Sequence, residues 1–300
     1  MERNILITGS TGFIGRNLKE QLGEKYNLFT PSHSELELTN SESVKNYFEN
    51  HHIDVVIHCA TAGSGFKRGR MGGEVQQPEI VKQNLQMFFN IVNNLQDKKL
   101  INFGSGAEYD KRFDIKMIKE TDFEKHLPNE DYGFSKYVTA KYIENSNKNI
   151  IHLRFFAIYG KYEDYESKFI SNAICRNLLG LPIIINQNVK FDYLFIDDAV
   201  KIIDYFVQNE VSEKIYNIGS GKSIELLALA QKINKIIGKQ SEIIVKKEGL
   251  NKEYSCDVTK LLEEIGDFKF TEIDEGIKKL YDYYKKEIDN LDMTGIISEN

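Results

Sequence analysis

Apolar residues arrive along this chain in two rhythms. Short continuous runs, rich in β-branched side chains, read as strands buried on both faces: Asn4 to Thr8, Ile53 to Ala60, Leu100 to Phe103, Ile150 to Phe156 and Ile215 to Ile218. Tyr26 to Thr30 adds a second strand near the start. Between these runs, apolar positions recur every three or four residues, the spacing of one helical face. Ile14, Leu18 and Leu22 mark a first helix closed by Gly23, and Ser41 to Asn50 a second. Glu79 to Leu95 carries Val81, Leu85, Phe88, Phe89 and Val92 on its apolar side. A helix from about Tyr132 to Asn145 carries Tyr132, Lys136, Ala140 and Ile143 down one side. Alternation of this kind predicts an α/β fold built on a doubly wound parallel sheet.

Beyond residue 158 the pattern loosens. Lys168 to Leu179 reads as a helix ended by Gly180, Val189 to Ile196 as extended, and Asp197 as the cap of a helix from Ala199 to Gln208. Ser223 is the expected N-cap of a helix whose core face is Leu226, Ala230, Ile233 and Ile237. A last amphipathic helix spans Gly276 to Ile288, and 289–300 has little to pack and is expected to be disordered.

Composition narrows the classes of function. Three hundred residues, 41% hydrophobic and 28% charged, have the make-up of an ordinary soluble protein with room for a real core. A net charge of −6 gives no reason to expect nucleic acid or an anionic membrane as partner. No apolar run approaches ~18 residues, and the apolar start is too short for a signal peptide. Cys59, Cys175 and Cys256 are widely spaced, as reduced cysteines of a cytoplasmic protein would be. The histidines show no metal-ligand spacing, so no metal is expected, and His58 within its apolar strand reads as a core histidine.

Two stretches carry chemistry. Gly9-Ser10-Thr11-Gly12-Phe13-Ile14-Gly15 joins the first strand to the first helix. Gly9 allows the turn, Gly12 lets a diphosphate reach the backbone at the helix N-terminus, and Gly15 lets helix and strand pack closely. In Asp131-Tyr132-Gly133-Phe134-Ser135-Lys136, Tyr132 and Lys136 lie four apart on one helical face. A phenol ionises near pH ~10, and a nearby ammonium is expected to bring Tyr132 down towards the working range. Ser105, at the carboxyl end of its strand, is placed to meet Tyr132. After the second strand comes Pro31-Ser32-His33-Ser34, with Glu35 beyond the pocket, a polar loop that favours NADP over NAD. Gly63 to Gly73, with Lys67, Arg68 and Arg70, reads as a solvated loop or a basic flap near a cofactor.

The set Gly9-x-x-Gly12-x-x-Gly15, Ser105 and Tyr132-x-x-x-Lys136 resembles the extended short-chain dehydrogenases/reductases, the NAD-dependent epimerase/dehydratase group acting on sugar nucleotides. Leu153 to Gly160, Phe191 to Asp198 and Tyr216 to Gly221 fit the same group. The resemblance implies a Rossmann-type domain of residues 1–158 plus about 188–215, and a smaller mixed α/β substrate domain of about 159–187 and 216–288. It implies Tyr132 as acid/base, Lys136 tuning it and holding the nicotinamide ribose, and Ser105 hydrogen-bonding the reacting oxygen. The dinucleotide would lie along the turn, past Thr11, Phe13 and Ile14. Glu37 and Leu38 would meet the adenine, and Ala60, Thr61 and Ala62 the ribose and diphosphate. Substrate contacts would come from Ser105, Ala107, Tyr132 and Lys168, and a homodimer would form through helices 79–95 and 132–145.

Departures from the group narrow the reaction. The sugar 4,6-dehydratases resemble one another in an Asp-Glu pair right after the Ser/Thr, and here Gly106-Ala107 follow Ser105, with Glu108 one place too late. Relatives that epimerise as well as reduce carry a cysteine where this chain has Ala107. Ala157 stands for the usual asparagine, and Phe191 for the usual arginine, beside Lys190. A lysine is a point charge and does not reproduce a bidentate arginine. The expected activity is reduction of a 4-keto (deoxy)sugar nucleotide with NADP or NAD. The alternatives are a sugar-nucleotide 4-epimerase and a non-catalytic dinucleotide-binding regulator.

Overall fold

The computed structural model describes residues 3–63, 79–292 and 294–298. Apart from Gly63, the loop from Gly63 to Gly73 lies outside the described residues. In chain order the elements begin with β1 (Asn4–Thr8), α1 (Phe13–Leu22), β2 (Asn27–Phe29), α2 (Ser41–Asn50), β3 (Val55–His58), α3 (Ile80–Asn93) and β4 (Lys99–Ser105). They continue with β5 (Ile115–Ile118), α4 (Asp131–Glu144), β6 (Ile150–Phe155), β7 (Ala157–Tyr159), α5 (Phe169–Leu179), β8 (Ile183–Asn188), β9 (Lys190–Phe195) and α6 (Ile196–Gln208). The remainder is β10 (Ile215–Ile218), β11 (Ser223–Glu225), α7 (Leu226–Ile237), β12 (Ile243–Leu250), β13 (Tyr254–Cys256), α8 (Thr259–Ile265), α9 (Ile273–Glu287) and α10 (Thr294–Ser298).

The main sheet runs β10-β6-β4-β3-β1-β2 and every pairing in it is parallel. Because successive side chains on a strand point to opposite faces, β1 feeds two cores at once. Ile5 and Ile7 pack with Leu18 and Leu22 of α1, while Leu6 packs with Val44, Phe48, Phe88 and Ile91 of α2 and α3. A second sheet, β11-β9-β13-β5, with β7 also paired to β9, stands against the carboxyl end of the first. Since β7 follows β6 directly, the chain passes from one sheet to the other within two residues. The boundary expected at residues 215/216 falls inside β10, a main-sheet strand, and β9 belongs to the second sheet. Two segments singled out in the sequence meet here: buried Asp192 accepts hydrogen bonds from Ser220 N and Oγ at 2.7 and 2.6 Å.

Several local expectations are corrected. Gly23 caps α1, but with φ −64°, so no left-handed turn is involved. Ser223 lies in β11, paired to Asp192, and α7 starts three residues later. Asp197 is inside the first turn of α6, where it accepts from Gln21 instead of capping. On α3 the buried side is Asn84, Phe88, Ile91 and Val92, and Val81, Leu85 and Phe89 stay half-buried. The helix is turned that way because Asn84 is fastened inward. The tail also packs: Ile296 is buried, and its carbonyl accepts from Arg176 at 3.1 Å. Among the described residues, no helix is long and apolar enough to cross a membrane.

Candidate active site

A cleft of about 1590 Å³ crosses the carboxyl ends of β1, β3, β4 and β6. The glycine turn forms its first wall. Gly9 has φ +69°, and a Cβ there would lie 2.7 Å from Ala60 N. At Gly15 a Cβ would lie 2.2 Å from Gly9 O, so no side chain is tolerated where α1 presses on the turn. Gly12 differs. A Cβ would meet only Gly9 O, at 3.4 Å, and the residue caps α1 with ordinary extended angles. The protein's own packing therefore does not demand glycine at 12. What glycine does there is leave the N-terminus of α1 open to the cleft, as a phosphate group requires.

Thr11, Phe13, Ile14, Glu37, Leu38, Ala60, Thr61 and Ala62 all line the same cleft, as do Ser32 and His33. Glu35 is turned onto the loop, accepting from Ser32 N at 2.7 Å. Glu37 accepts from Thr39 Oγ1 at 2.6 Å and is held below the ordinary carboxyl range chiefly by that hydrogen bond. His58 is a core histidine, 2.8 Å from Thr8 Oγ1, and burial pushes its pKa down to about 3. Asn84 was not foreseen. Its amide accepts from Ala62 N at 2.7 Å and donates to Ala62 O at 3.1 Å and Ser135 Oγ at 3.0 Å, tying the loop after β3 to α4.

Ser105, Tyr132 and Lys136 line the far part of the cleft, with the Ser105 hydroxyl beside the Tyr132 phenol. The expected tuning of Tyr132 by Lys136 does not hold in the protein alone. Lys136 Nζ lies 5.8 Å from the Tyr132 ring centre and donates to Phe103 O at 2.7 Å. Burial pushes Tyr132 up to about 12, opposed by Ser105 and reinforced by Glu108. Burial also lowers Lys136 to about 8, because the ammonium itself is desolvated. The two groups are thus brought together with the lysine anchored on main chain, not on the phenol.

Ser105 is fixed from below. It caps a 3₁₀ turn over Gly106–Tyr109, and Ala107 N donates to its Oγ at 3.2 Å. Glu108, fully buried, accepts from Ser105 N at 2.8 Å and from Arg154 Nε at 2.6 Å, and lies 2.9 Å from His152 Nε2. Burial opposes its ionisation, but His152 and Arg154 outweigh that and hold the carboxyl below its usual range. The Ser105-x-x-Glu108 spacing is a capping box, a signal present in the sequence.

At the substrate-side wall, Lys168 and Phe191 line the cleft, whereas Lys190 faces Glu225 at 3.9 Å. Ala107 is buried in the 3₁₀ turn and does not line the cleft, so the side-chain contact expected there is absent. Tyr254, Phe113 and Ile115 line it without having been foreseen. Nothing local marks them, since they enter through the pairing of β5 with β13.

Comparison with known proteins places this geometry. The model of the NAD dependent epimerase/dehydratase family matches residues 5–219. GDP-L-colitose synthase of Yersinia pseudotuberculosis is 26% identical, the match covering 95% of this chain and 99% of that protein. The dTDP-4-dehydro-6-deoxyglucose reductase of Escherichia coli is 28% identical over 93% and 96%. Among solved structures, a UDP-glucose 4-epimerase of Thermotoga maritima with UDP-glucose superposes with a TM-score of 0.80, at 22% identity over 95% and 99% of the two chains.

Proposed function

Because this chain belongs to the NAD dependent epimerase/dehydratase family, we propose that it is an enzyme reducing a 4-keto (deoxy)sugar nucleotide. The turn at 9–15 and Lys136 would hold a nicotinamide dinucleotide, whose chemistry there would be hydride transfer. Tyr132 gives its proton to the ketone oxygen, Ser105 hydrogen-bonds the same oxygen, and Lys136 would hold the ribose. The carrying observation is that the Tyr132 phenol and the Ser105 hydroxyl face the cleft together, while the neighbouring carboxylate, Glu108, is locked under the site by His152 and Arg154. A carboxylate so engaged is not free to remove a proton from a sugar carbon, as water elimination requires. The name of one relative, the dTDP-4-dehydro-6-deoxyglucose reductase, supports the same reading.

Solved structures of this fold hold NADP or NAD, and Ser32 and His33 in the cleft wall support NADP here. The turn at 9–15, with Thr11, Phe13 and Ile14, would take the diphosphate, Glu37 and Leu38 the adenine, and Ala60 to Ala62 the ribose. Residues 1–158 with α6 and β10 would form the dinucleotide part, and the segments carrying α5, β8, β9 and β11 to α9, Lys168 included, the sugar-nucleotide part. Half-buried Val81, Leu85 and Phe89 on α3 support a homodimer through α3 and α4. Free cysteines suit the cytoplasm.

The test mixes purified protein with NADPH and a panel of 4-keto sugar nucleotides. Stoichiometric bleaching of the reduced nicotinamide is expected. Tightly bound NAD with UDP-glucose and UDP-galactose interconverted, and no net redox change, would establish the 4-epimerase instead.

A further inference from the structure

Tyr254 enters the cleft from β13, paired with Ile115 on one side and Phe191 on the other. Its ring packs on Phe156 and Phe191, with centroids 4.9 and 5.8 Å away. Its phenol end rests on the main chain beside Ser105: a Cβ built on Gly106 would lie 2.5 Å from the Tyr254 hydroxyl oxygen and 2.8 Å from Cζ. Any residue but glycine at 106 would push the phenol away. From that seat the Tyr254 hydroxyl stands beside Ser105, the residue that also neighbours the Tyr132 phenol.

A serine hydroxyl has one proton to give and two positions at which to accept. Ala107 N–H occupies the first acceptor position of Ser105. We propose that the Tyr254 hydroxyl donates to the second and makes Ser105 a donor only, aimed at the reacting oxygen. A Ser105 free to accept would take the Tyr132 proton in an idle hydrogen bond and hold it back from the substrate. With both acceptor positions filled, that diversion is closed, and the acid's proton can go only to the ketone oxygen. Tyr254 acts through Ser105 and is a positioning residue, and the inference rests on the reading of Tyr132 as the acid in a ketone reduction.

The experiment places Tyr254→Phe in the wild-type and Ser105→Ala backgrounds and assays both with NADPH and the 4-keto substrates. Phenylalanine keeps the ring contacts, and thermal melting verifies the fold. In the wild type, kcat should fall about tenfold, the worth of one hydrogen bond, with KM within about twofold. In Ser105→Ala the same change should cost less than about twofold, because the hydroxyl it orients is gone. Equal losses in both backgrounds, a rise in KM with kcat unchanged, or no loss at all would overturn the proposal. A second readout needs no substrate: the Ser105 side chain should hold one rotamer in the wild type and spread over more in Tyr254→Phe, by side-chain couplings or crystallography. An unchanged single rotamer overturns the role of Tyr254. If no ketone is reduced, the functional reading fails, while the rotamer measurement still decides this one.

Discussion

At the glycine turn the wall of the cleft is main chain, and around Ser105 it is side chains drawn from β5, β9 and β13. The first end is dictated by sterics: Gly9 and Gly15 have no space for a methyl group, and their neighbours are backbone atoms that cannot step aside. The second end is an assembly of the side chains of Ile115, Phe191, Tyr193 and Tyr254. On the proposed function, a site made this way would keep its dinucleotide end constant while the sugar end is free to change.

The sharpest way to break this contrast is within the turn itself. Gly9→Ala puts a side chain at φ +69° against Ala60 N, and should leave little folded protein. Gly12→Ala has space inside the protein, so its melting temperature should stay within a few degrees while NADPH binding, measured by titration, weakens at least about tenfold. Equal damage at both positions would refute the division between packing and ligand glycines.

Next in size is Tyr132→Phe, which should lower kcat by about 10²–10⁴ while leaving the NADPH Kd unchanged. Turnover equal to the wild type would return the chain to the class of non-catalytic binders.

At the substrate end, Glu163 is buried in the cleft wall and accepts from Ser171 Oγ at 2.6 Å. Burial raises its pKa from 4.5 to about 8. The folded state therefore binds a proton more tightly than the unfolded chain, and stability should fall as pH rises from about 4.5 to about 8. Glu163→Gln should flatten that slope, by an amount on the order of a few kcal/mol across the window, in denaturant melts at each pH. An unchanged slope would mean water reaches the carboxyl. The smallest effect is expected for Lys168→Ala. Removing a cleft cation should raise KM for the sugar nucleotide about tenfold with kcat retained, and a kcat defect would place the lysine nearer the chemistry.

What could be read from the sequence follows the same line. The turn at 9–15 and the Tyr132–Lys136 spacing are local, and local geometry made them visible. Strand alternation alone also separates Phe191 from Lys190: neighbours on a strand face opposite ways, so one lines the cleft and the other meets Glu225. The true partner of Lys136 was hidden, since a main-chain carbonyl at Phe103 has no signature. Tyr254 was hidden because its neighbours, Ile115, Phe156 and Phe191, lie far away in the chain. Ser223 shows the opposite failure, a capping residue type drawn into β11 by its pairing with Asp192.

The pairing of β5 with β13 also sets a timetable. As the chain leaves the ribosome, β1 to β4 and β6 can assemble with their helices, and β10 then completes the main sheet. Residues Ile115–Ile118 wait for Tyr254–Cys256, so this strand pairing closes a long loop late in synthesis, at a high entropy cost. Until then the Ser105 end of the cleft has no Tyr254, and a nascent chain can shape its dinucleotide turn before it owns a substrate pocket. Cofactor bound at that stage would stabilise the half-built protein, making the dinucleotide a folding aid as well as a reagent.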